Sequence, residues 1–149
     1  MQPVTLEDIN DAAKLLDGVI KKTPSISAGW IEKKYGVDVT FKCENLQRAG
    51  SFKIRGAYNR IARLTAEQRS KGVVAASAGN HAQGVAFACR HFAVHGTIFM
   101  PVTTPQQKID KTRTFGGDAI EIVLTGDYFD QTLAAAQEYC AEKRAHFLS

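Results

Sequence analysis

Two short segments contain residue types whose spacing suits an amine nucleophile beside an anion pocket. Ser51-Phe52-Lys53 places a lysine at the predicted start of a helix, and the segment Ser77–His81 (Ser-Ala-Gly-Asn-His) opens the next predicted helix. The first turn of a helix has unpaired backbone N–H groups and a partial positive charge, so it suits a carboxylate or a phosphate. Positive surroundings, including the nearby Arg48, Arg55 and Arg60, favour the neutral form of an amine. Together the segments predict a Schiff-base enzyme.

Length and composition fit one globular domain. The 149 residues are 44% hydrophobic and 23% charged, and these values are ordinary for a folded chain. No apolar run reaches the length of a membrane span and no signal peptide opens the chain, so we expect a soluble cytoplasmic protein with no membrane partner. The net charge of +4 comes from basic residues spread along the chain. This distribution argues against nucleic-acid binding.

Cysteine and histidine spacing indicates neither a metal site nor a disulfide framework. The three cysteines are far apart and odd in number, and the four histidines show no metal-ligand spacing. Cys89 and Cys140 lie on apolar helical stripes, which predicts buried, reduced thiols. GxGxxG, GxxxxGK[ST] and G-x-S-x-G are all absent, so the dinucleotide, nucleotide and α/β-hydrolase interpretations lose their main support.

From residue 37 onward, short apolar runs alternate with amphipathic helical patterns. The runs predict strands at Val37–Phe41, Val73–Ala76, Thr97–Met100 and Ala119–Val123 and a further strand beginning at His146. The helical stripes consist of Ile54, Ala57, Ile61 and Leu64; of Ala82, Val85, Ala86 and Cys89; and of Phe129, Leu133, Ala136 and Cys140. A further helix is predicted from Pro105 to about Phe115, closed by Gly116-Gly117.

This β-α alternation predicts an α/β fold, an open parallel sheet with helices on both faces. In such sheets, ligands bind beyond the carboxyl ends of the strands. Ser51–Lys53 and Ser77–His81 each follow a predicted strand, so we expect both segments at that edge.

Residues 1–36 show a different pattern. Thr5 and Asp8 predict a helix-capping box, and a second short helix is predicted from Ser27 to Tyr35. The first helix has an apolar stripe formed by Ile9, Ala13, Leu16 and Ile20. We therefore expect a helical arm without strands that packs on another domain and that, alone, exposes Ile9, Ala13 and Leu16.

Longer stretches resemble the signatures of fold-type II pyridoxal-phosphate (PLP) enzymes. The resemblance rests on Glu44–Ala57 and Ser77–Gly84 and extends over essentially the whole chain. It is nearest to the threonine dehydratases, with Phe99–Pro105 and Ala82–Phe87 as supporting segments. Serine dehydratases and serine racemases are close relatives within this group.

The resemblance implies a role for each matching residue. Lys53 would hold PLP covalently, Phe52 would pack against the cofactor ring, and Asn80 would hydrogen-bond the ring hydroxyl. The substrate carboxylate would be bound by Ser77, Gly79, Asn80 and His81. No metal is implied.

The implied reaction is the α,β-elimination of L-threonine, in isoleucine biosynthesis or threonine catabolism. The substrate amine displaces Lys53, and the freed lysine removes the α-proton while PLP takes up the electrons. The β-hydroxyl leaves as water, and hydrolysis of the released enamine gives 2-oxobutanoate and ammonia. The resemblance also implies a homo-oligomer in the full-length enzyme.

Members of this family continue for at least as many residues again, with a glycine-rich phosphate loop and a Ser/Thr partner for the pyridine nitrogen. We therefore expect an N-terminal portion, inactive alone, in which residues 1–36 belong to a large domain and residues 37–149 form the small domain. Three alternatives stay open: a serine dehydratase or racemase, a non-catalytic α/β module that acts only by association, and an unrelated α/β domain that binds a small anion.

Overall fold

A computed structural model describes residues 3–149. Within this range the helices are α1 (Leu6–Leu16), α2 (Gly29–Tyr35), α3 (Lys53–Ala62), α4 (Ala66–Ser70), α5 (Asn80–Phe92), α6 (Gln106–Gly116) and α7 (Phe129–Lys143). The strands are β1 (Ser25–Ser27), β2 (Thr40–Lys42), β3 (Val73–Ala76), β4 (Gly96–Met100), β5 (Ile120–Leu124) and β6 (His146–Phe147). None of the helices in this range is both long and apolar enough to cross a membrane.

Four strands form a parallel sheet in the order β5-β4-β3-β6. Val73 of β3 is in register with Gly96 of β4 on one side and with His146 of β6 on the other. The chain thus proceeds outward from β3 through β4 to β5, and β6 then returns to the opposite side of β3. This reversal places the topological switch point between β3 and β6, where open α/β sheets bind ligands.

Alternate residues along the strands contribute to two hydrophobic cores, because successive side chains of a strand point to opposite faces. On one face, Val73, Ala75, Ile98 and Met100 pack with buried residues of α3 and α5. On the other face, the partners of α7 are Val74 and Phe99. The predicted parallel sheet with helices on both faces is confirmed.

Most of the predicted helical stripes are confirmed by burial. The predicted stripe of α3 is buried, as are Ala82, Val85, Ala86 and Cys89 of α5. Pro105 caps α6, and Gly117 follows that helix at a positive φ of 54°, a backbone conformation that favours glycine. In α7 the stripe is partly wrong, since Phe129 is half exposed and Thr132 is fully buried.

The strand predicted at Val37–Phe41 is misplaced and does not belong to the parallel sheet. Instead, β2 pairs antiparallel with β1, with Ser27 opposite Thr40. Val37 and Phe41 are each half exposed, whereas an interior strand of a parallel sheet is buried on both faces. The prediction that residues 1–36 contain no strand is wrong for the same reason, because β1 lies within them.

The predicted start of the first helix is confirmed, and its predicted exposure is confirmed for two of three residues. The Thr5 and Asp8 side chains form the capping box, each accepting a hydrogen bond from the backbone N–H of the other residue. Ile9 and Ala13 are exposed as predicted. Leu16 is only 6% exposed, contrary to the prediction, because it packs into the core beneath α3.

Candidate active site at the switch point of the sheet

Lys53 is the first residue of α3, as its position after a serine turn predicts. The backbone N–H of Lys53 lies 3.4 Å from Oγ of the buried Ser51, which loosely closes the turn that leads into the helix. The Lys53 side chain is exposed, and its Nζ lies 5.3 Å from the centre of the Phe52 ring. An exposed amine and an exposed aromatic ring are thus held side by side at the start of α3.

The second segment forms a similar serine turn before α5. The Ser77 N–H donates to the Phe99 carbonyl at 3.0 Å, and the Gly79 N–H donates to Ser77 Oγ at 3.2 Å. No side chain caps α5, so its first-turn N–H groups have no side-chain acceptor. A Cβ atom added at Gly79 would meet nothing within 4 Å. An anion therefore has both free donors and open space at this turn.

Lys53 and His81 line one cleft of about 400 Å³ beside the carboxyl ends of β3 and β6. The cleft is lined by Phe52, Lys53, Gly56, Ala57, Arg60, His81, Phe147, Leu148 and Ser149. These residues include two basic side chains and no acidic side chain. The cleft lies at the switch point and its charge suits an anionic ligand.

His81 joins the start of α5 to the end of β6. Its Nε2 lies 3.2 Å from the Leu148 carbonyl, and because a carbonyl only accepts, Nε2 must carry the proton. Burial lowers the His81 pKa and outweighs the Leu148 hydrogen bond, which raises it, while the charge of Lys53 makes a smaller lowering contribution. The imidazole is thus neutral with Nδ1 unprotonated. Its side chain cannot donate to a carboxylate, whereas its backbone N–H can.

The arginines near Lys53 in sequence do not all surround it in space. Arg55 makes two hydrogen bonds to the Glu44 carboxylate, at 2.8 and 2.7 Å. The Arg55 guanidinium lowers the Glu44 pKa to about 2. Arg48 donates from Nε to the Val19 carbonyl at 2.6 Å. Of the three arginines, only Arg60 lines the cleft, so the expectation of a three-arginine surrounding is corrected.

A larger cavity of about 610 Å³ lies elsewhere and contains neither predicted segment. Its lining residues are Lys21, Arg48, Phe87, Arg90, His91, Thr114 and Phe115. Arg48 is bonded to a backbone carbonyl as described, and Arg90 Nη1 lies 3.5 Å from the Thr114 carbonyl. These guanidinium groups bond to the protein's own backbone carbonyls, so we assign the candidate site to the smaller cleft.

The structure brings some predicted residues onto the cleft and leaves others beside it. Phe52, Lys53 and His81 line it, whereas Ser77, Gly79 and Asn80 immediately precede His81 without lining it. Sequence reasoning named Arg60 only as one of three cations near Lys53, and it predicted the strand at His146 without placing that strand beside the site. Arg60 lies seven residues after Lys53, and this spacing places it on the same helix face as Lys53. The β6 wall had no such signal, because strand periodicity does not reveal the order of strands in a sheet.

Fold and site together define an α/β domain in which a lysine and an uncapped helix start meet at the switch point of a parallel sheet. A family model described as "Pyridoxal-phosphate dependent enzyme" matches residues 16–149. The chain belongs to this family of PLP-dependent enzymes.

Within this family, the chain is similar in sequence to curated proteins that share one name. The chain is 47% identical over 145 residues to the L-threonine dehydratase biosynthetic IlvA of Lactococcus lactis subsp. lactis, a match that covers 97% of this chain and 35% of that protein. It is 46% identical to the protein of the same name from Staphylococcus aureus, with 97% and 34% covered. The chain therefore spans about a third of the length of the curated relatives it matches.

Solved structures show the same fold. Maize serine racemase matches with a TM-score of 0.88 and 32% identity, covering 99% of this chain and 44% of that one. The processed form of threonine deaminase isoform 2 from Solanum lycopersicum matches with a TM-score of 0.81 and 36% identity, covering 98% and 43%.

The residues present fit one side of a PLP site. The cleft contains a primary amine with an exposed aromatic ring next to it, and these groups suit a planar aldehyde cofactor. The open space at Gly79 beside free helix donors suits an anionic group.

Proposed function

We propose that this chain forms the lysine-bearing side of the active site of a PLP-dependent ammonia-lyase that converts L-threonine to 2-oxobutanoate and ammonia. The single observation that supports this most strongly is the cleft that Lys53 shares with the first turn of α5. Family membership supports the cofactor. The substrate rests on the relatives named L-threonine dehydratase at 46–47% identity.

In this proposal each site residue has a defined role. Lys53 binds PLP covalently through Nζ, Phe52 packs against the cofactor ring, and Asn80 hydrogen-bonds the ring hydroxyl. The substrate carboxylate is bound by Ser77, Gly79, Asn80 and His81. For His81 the donor is the backbone N–H, because its imidazole Nε2 is bonded to Leu148 and its Nδ1 is an acceptor.

PLP, when bound, supplies an electron-accepting ring that stabilises negative charge at the substrate α-carbon. The first-turn N–H groups of α5 hold the carboxylate and so orient the α-proton relative to Lys53. The freed Lys53 amine removes that proton as a general base. Loss of the β-hydroxyl as water, followed by hydrolysis, gives 2-oxobutanoate and ammonia.

The proposal extends to the organisation of the protein. Residues 37–149 would form the small domain, and residues 1–36 would pack on a large domain outside this chain. The exposed apolar side chains of Ile9 and Trp30 support such packing. A cytoplasmic location and a homo-oligomeric full-length enzyme are part of the same proposal.

A serine-directed activity is the second candidate, since maize serine racemase matches with a TM-score of 0.88. The two candidates differ in their product. L-Threonine gives 2-oxobutanoate, whereas a serine racemase gives D-serine from L-serine.

Covalent trapping on the chain itself tests the assignment of Lys53. The protein is incubated with PLP, reduced with borohydride and digested, and the labelled lysines are mapped by mass spectrometry. We expect Lys53 to be labelled in preference to Lys108, an exposed lysine of α6 outside the cleft. Equal labelling of the two lysines, or an undiminished total in Lys53→Ala, would reject the role of Lys53.

A further inference from the structure

Gly84 of α5 lies directly against the start of α3. A Cβ atom built at Gly84 would be 3.0 Å from the carbonyl carbon of Lys53, 3.1 Å from its oxygen and 3.1 Å from the Ile54 nitrogen. All three contacts are to backbone, so no rotation of a side chain would relieve them. Only a residue without a Cβ allows α3 to lie this close to α5 at this point.

This close contact lies next to both halves of the candidate site. Gly84 is one helical turn beyond Asn80, the first residue of α5, and it touches the backbone of the residue that bears the amine. Further along, the two helices are joined by the hydrogen bond between the Tyr58 hydroxyl and His91 Nε2, at 3.0 Å. The two helices are thus held together at both ends of their contact, and Gly84 sets their separation at the end near Lys53.

We propose that Gly84 is a positioning residue whose missing side chain sets how close the Lys53 backbone lies to α5, and so where its amine stands relative to the first turn of α5. This inference rests on the proposed role of Lys53. A methyl group at residue 84 pushes the start of α3 away by a few tenths of an ångström, because its contacts of 3.0–3.1 Å are tighter than nine in ten Cβ contacts in proteins. The displacement moves the amine without changing any group that lines the cleft.

The test compares the labelling of Lys53 with that of Lys108 in the same molecule, using PLP and borohydride on the whole chain. In Gly84→Ala we expect the Lys53-to-Lys108 ratio to fall by about threefold to fivefold, since relief of these contacts takes a few tenths of an ångström and a misplacement of about 1 Å costs on the order of 100-fold in rate. Lys108 serves as an internal standard, because it is exposed in the folded chain and a general loss of stability would not change its labelling.

Two matched glycine variants separate positioning from stability. In Gly116→Ala the new Cβ would overlap Cγ1 of the Ile120 side chain, so this variant loses stability at the end of α6. In Gly29→Ala the new Cβ meets nothing within 4 Å. We expect Gly116→Ala to lower the Tm and Gly29→Ala to leave it nearly unchanged, both with the labelling ratio of the unsubstituted chain.

Each outcome decides one question. An unsubstituted chain that does not prefer Lys53 over Lys108 rejects the proposed function itself. A Lys53-to-Lys108 ratio that Gly84→Ala leaves unchanged, or that Gly116→Ala lowers equally, overturns only the positioning role. A Gly84→Ala chain without a cooperative thermal transition, while Gly116→Ala keeps one, makes Gly84 a folding residue and also overturns the inference.

Discussion

The imidazole of His81 is the point at which the beginning of one helix and the end of one strand are held together across the cleft. Its Nε2–H donates to the Leu148 carbonyl, so its role is to hold the β6 wall in place. We expect His81→Phe to lose this bond and to lower the free energy of unfolding by about 1 kcal/mol.

His81→Gln is the matched control, because a glutamine amide keeps an N–H donor on a side chain of similar length. Urea denaturation of both variants measures the difference. The assigned bond is contradicted if both variants lose the same stability.

Glu44 provides a pH-dependent prediction with a defined sign. Its pKa is lowered to about 2 by the Arg55 hydrogen bonds, so its contribution to stability is fully present above pH 4.5 and is lost as pH falls through about 2. We expect Glu44→Gln to lower the free energy of unfolding by about 1–3 kcal/mol at neutral pH. The difference from the unsubstituted chain should shrink between pH 4.5 and 2. Urea titrations at several pH values measure it, and a pH-independent difference would contradict the assigned pKa.

The ion pair between Arg55 and Glu44 shows what cannot be predicted from sequence at the scale of single residues. Lys53 was placed correctly at a helix start because a local serine turn determines it. The number of arginines around Lys53 was overestimated, because Arg55 turns toward a carboxylate eleven residues earlier, Glu44. Spacing along a helix does not reveal such a partner.

At the scale of secondary-structure elements, runs of apolar residues predicted the strands well where the strand residues are buried. Val73–Ala76 is a strand with its predicted bounds, because the apolar run ends at Ser77, where the turn begins. The run Val37–Phe41 has similar β-branched residues, yet Val37 and Phe41 are half exposed and only its last part joins the two-stranded antiparallel sheet of β1 and β2. The position of β6 beside β3 is a property of the whole sheet and has no local signal.

The packing of α5 and α7 against the sheet predicts which thiols react. Burial raises the Cys89 pKa to about 12 and also raises the Cys140 pKa. Cys43 is only partly buried. Because the thiolate is the reactive form, we expect iodoacetamide to modify Cys43 first and to reach Cys89 and Cys140 only after unfolding.

Mass spectrometry of digests taken with and without urea measures these rates. A Cys89 that reacts as fast as Cys43 in the folded chain would contradict the packing of α5 on the sheet.

At the scale of the whole molecule, the chain spans about a third of its curated relatives. Its cleft contains the lysine that we propose binds PLP, and positioning and electrostatic groups usually supply most of an enzyme's rate. We therefore expect residues 1–149 with added PLP to form no measurable 2-oxobutanoate from L-threonine. Turnover of about 1 s⁻¹ or more, from protein free of the host's own dehydratase, would show that the site is misplaced.

A chimera extends this test. Residues 1–149 are joined to the part of the Lactococcus lactis relative that this chain does not cover, and the product is measured with L-threonine and with L-serine. We expect the chimera to form 2-oxobutanoate and its Lys53→Ala variant to form none, while Lys108→Ala behaves as the unsubstituted chimera. A Lys53→Ala chimera with full activity would reject the proposed function.

The position of β6 also determines when the cleft comes into existence during protein synthesis. Lys53 and the first turn of α5 leave the ribosome well before Phe147 and Leu148, which form the opposite wall. Until β6 pairs with β3, the cleft lacks the wall formed by Phe147 and Leu148, and His81 lacks the Leu148 carbonyl to which it bonds. The nascent chain therefore presents Lys53 without the opposite wall of the cleft, and the cleft that we propose as a cofactor site is complete only after β6 has paired with β3.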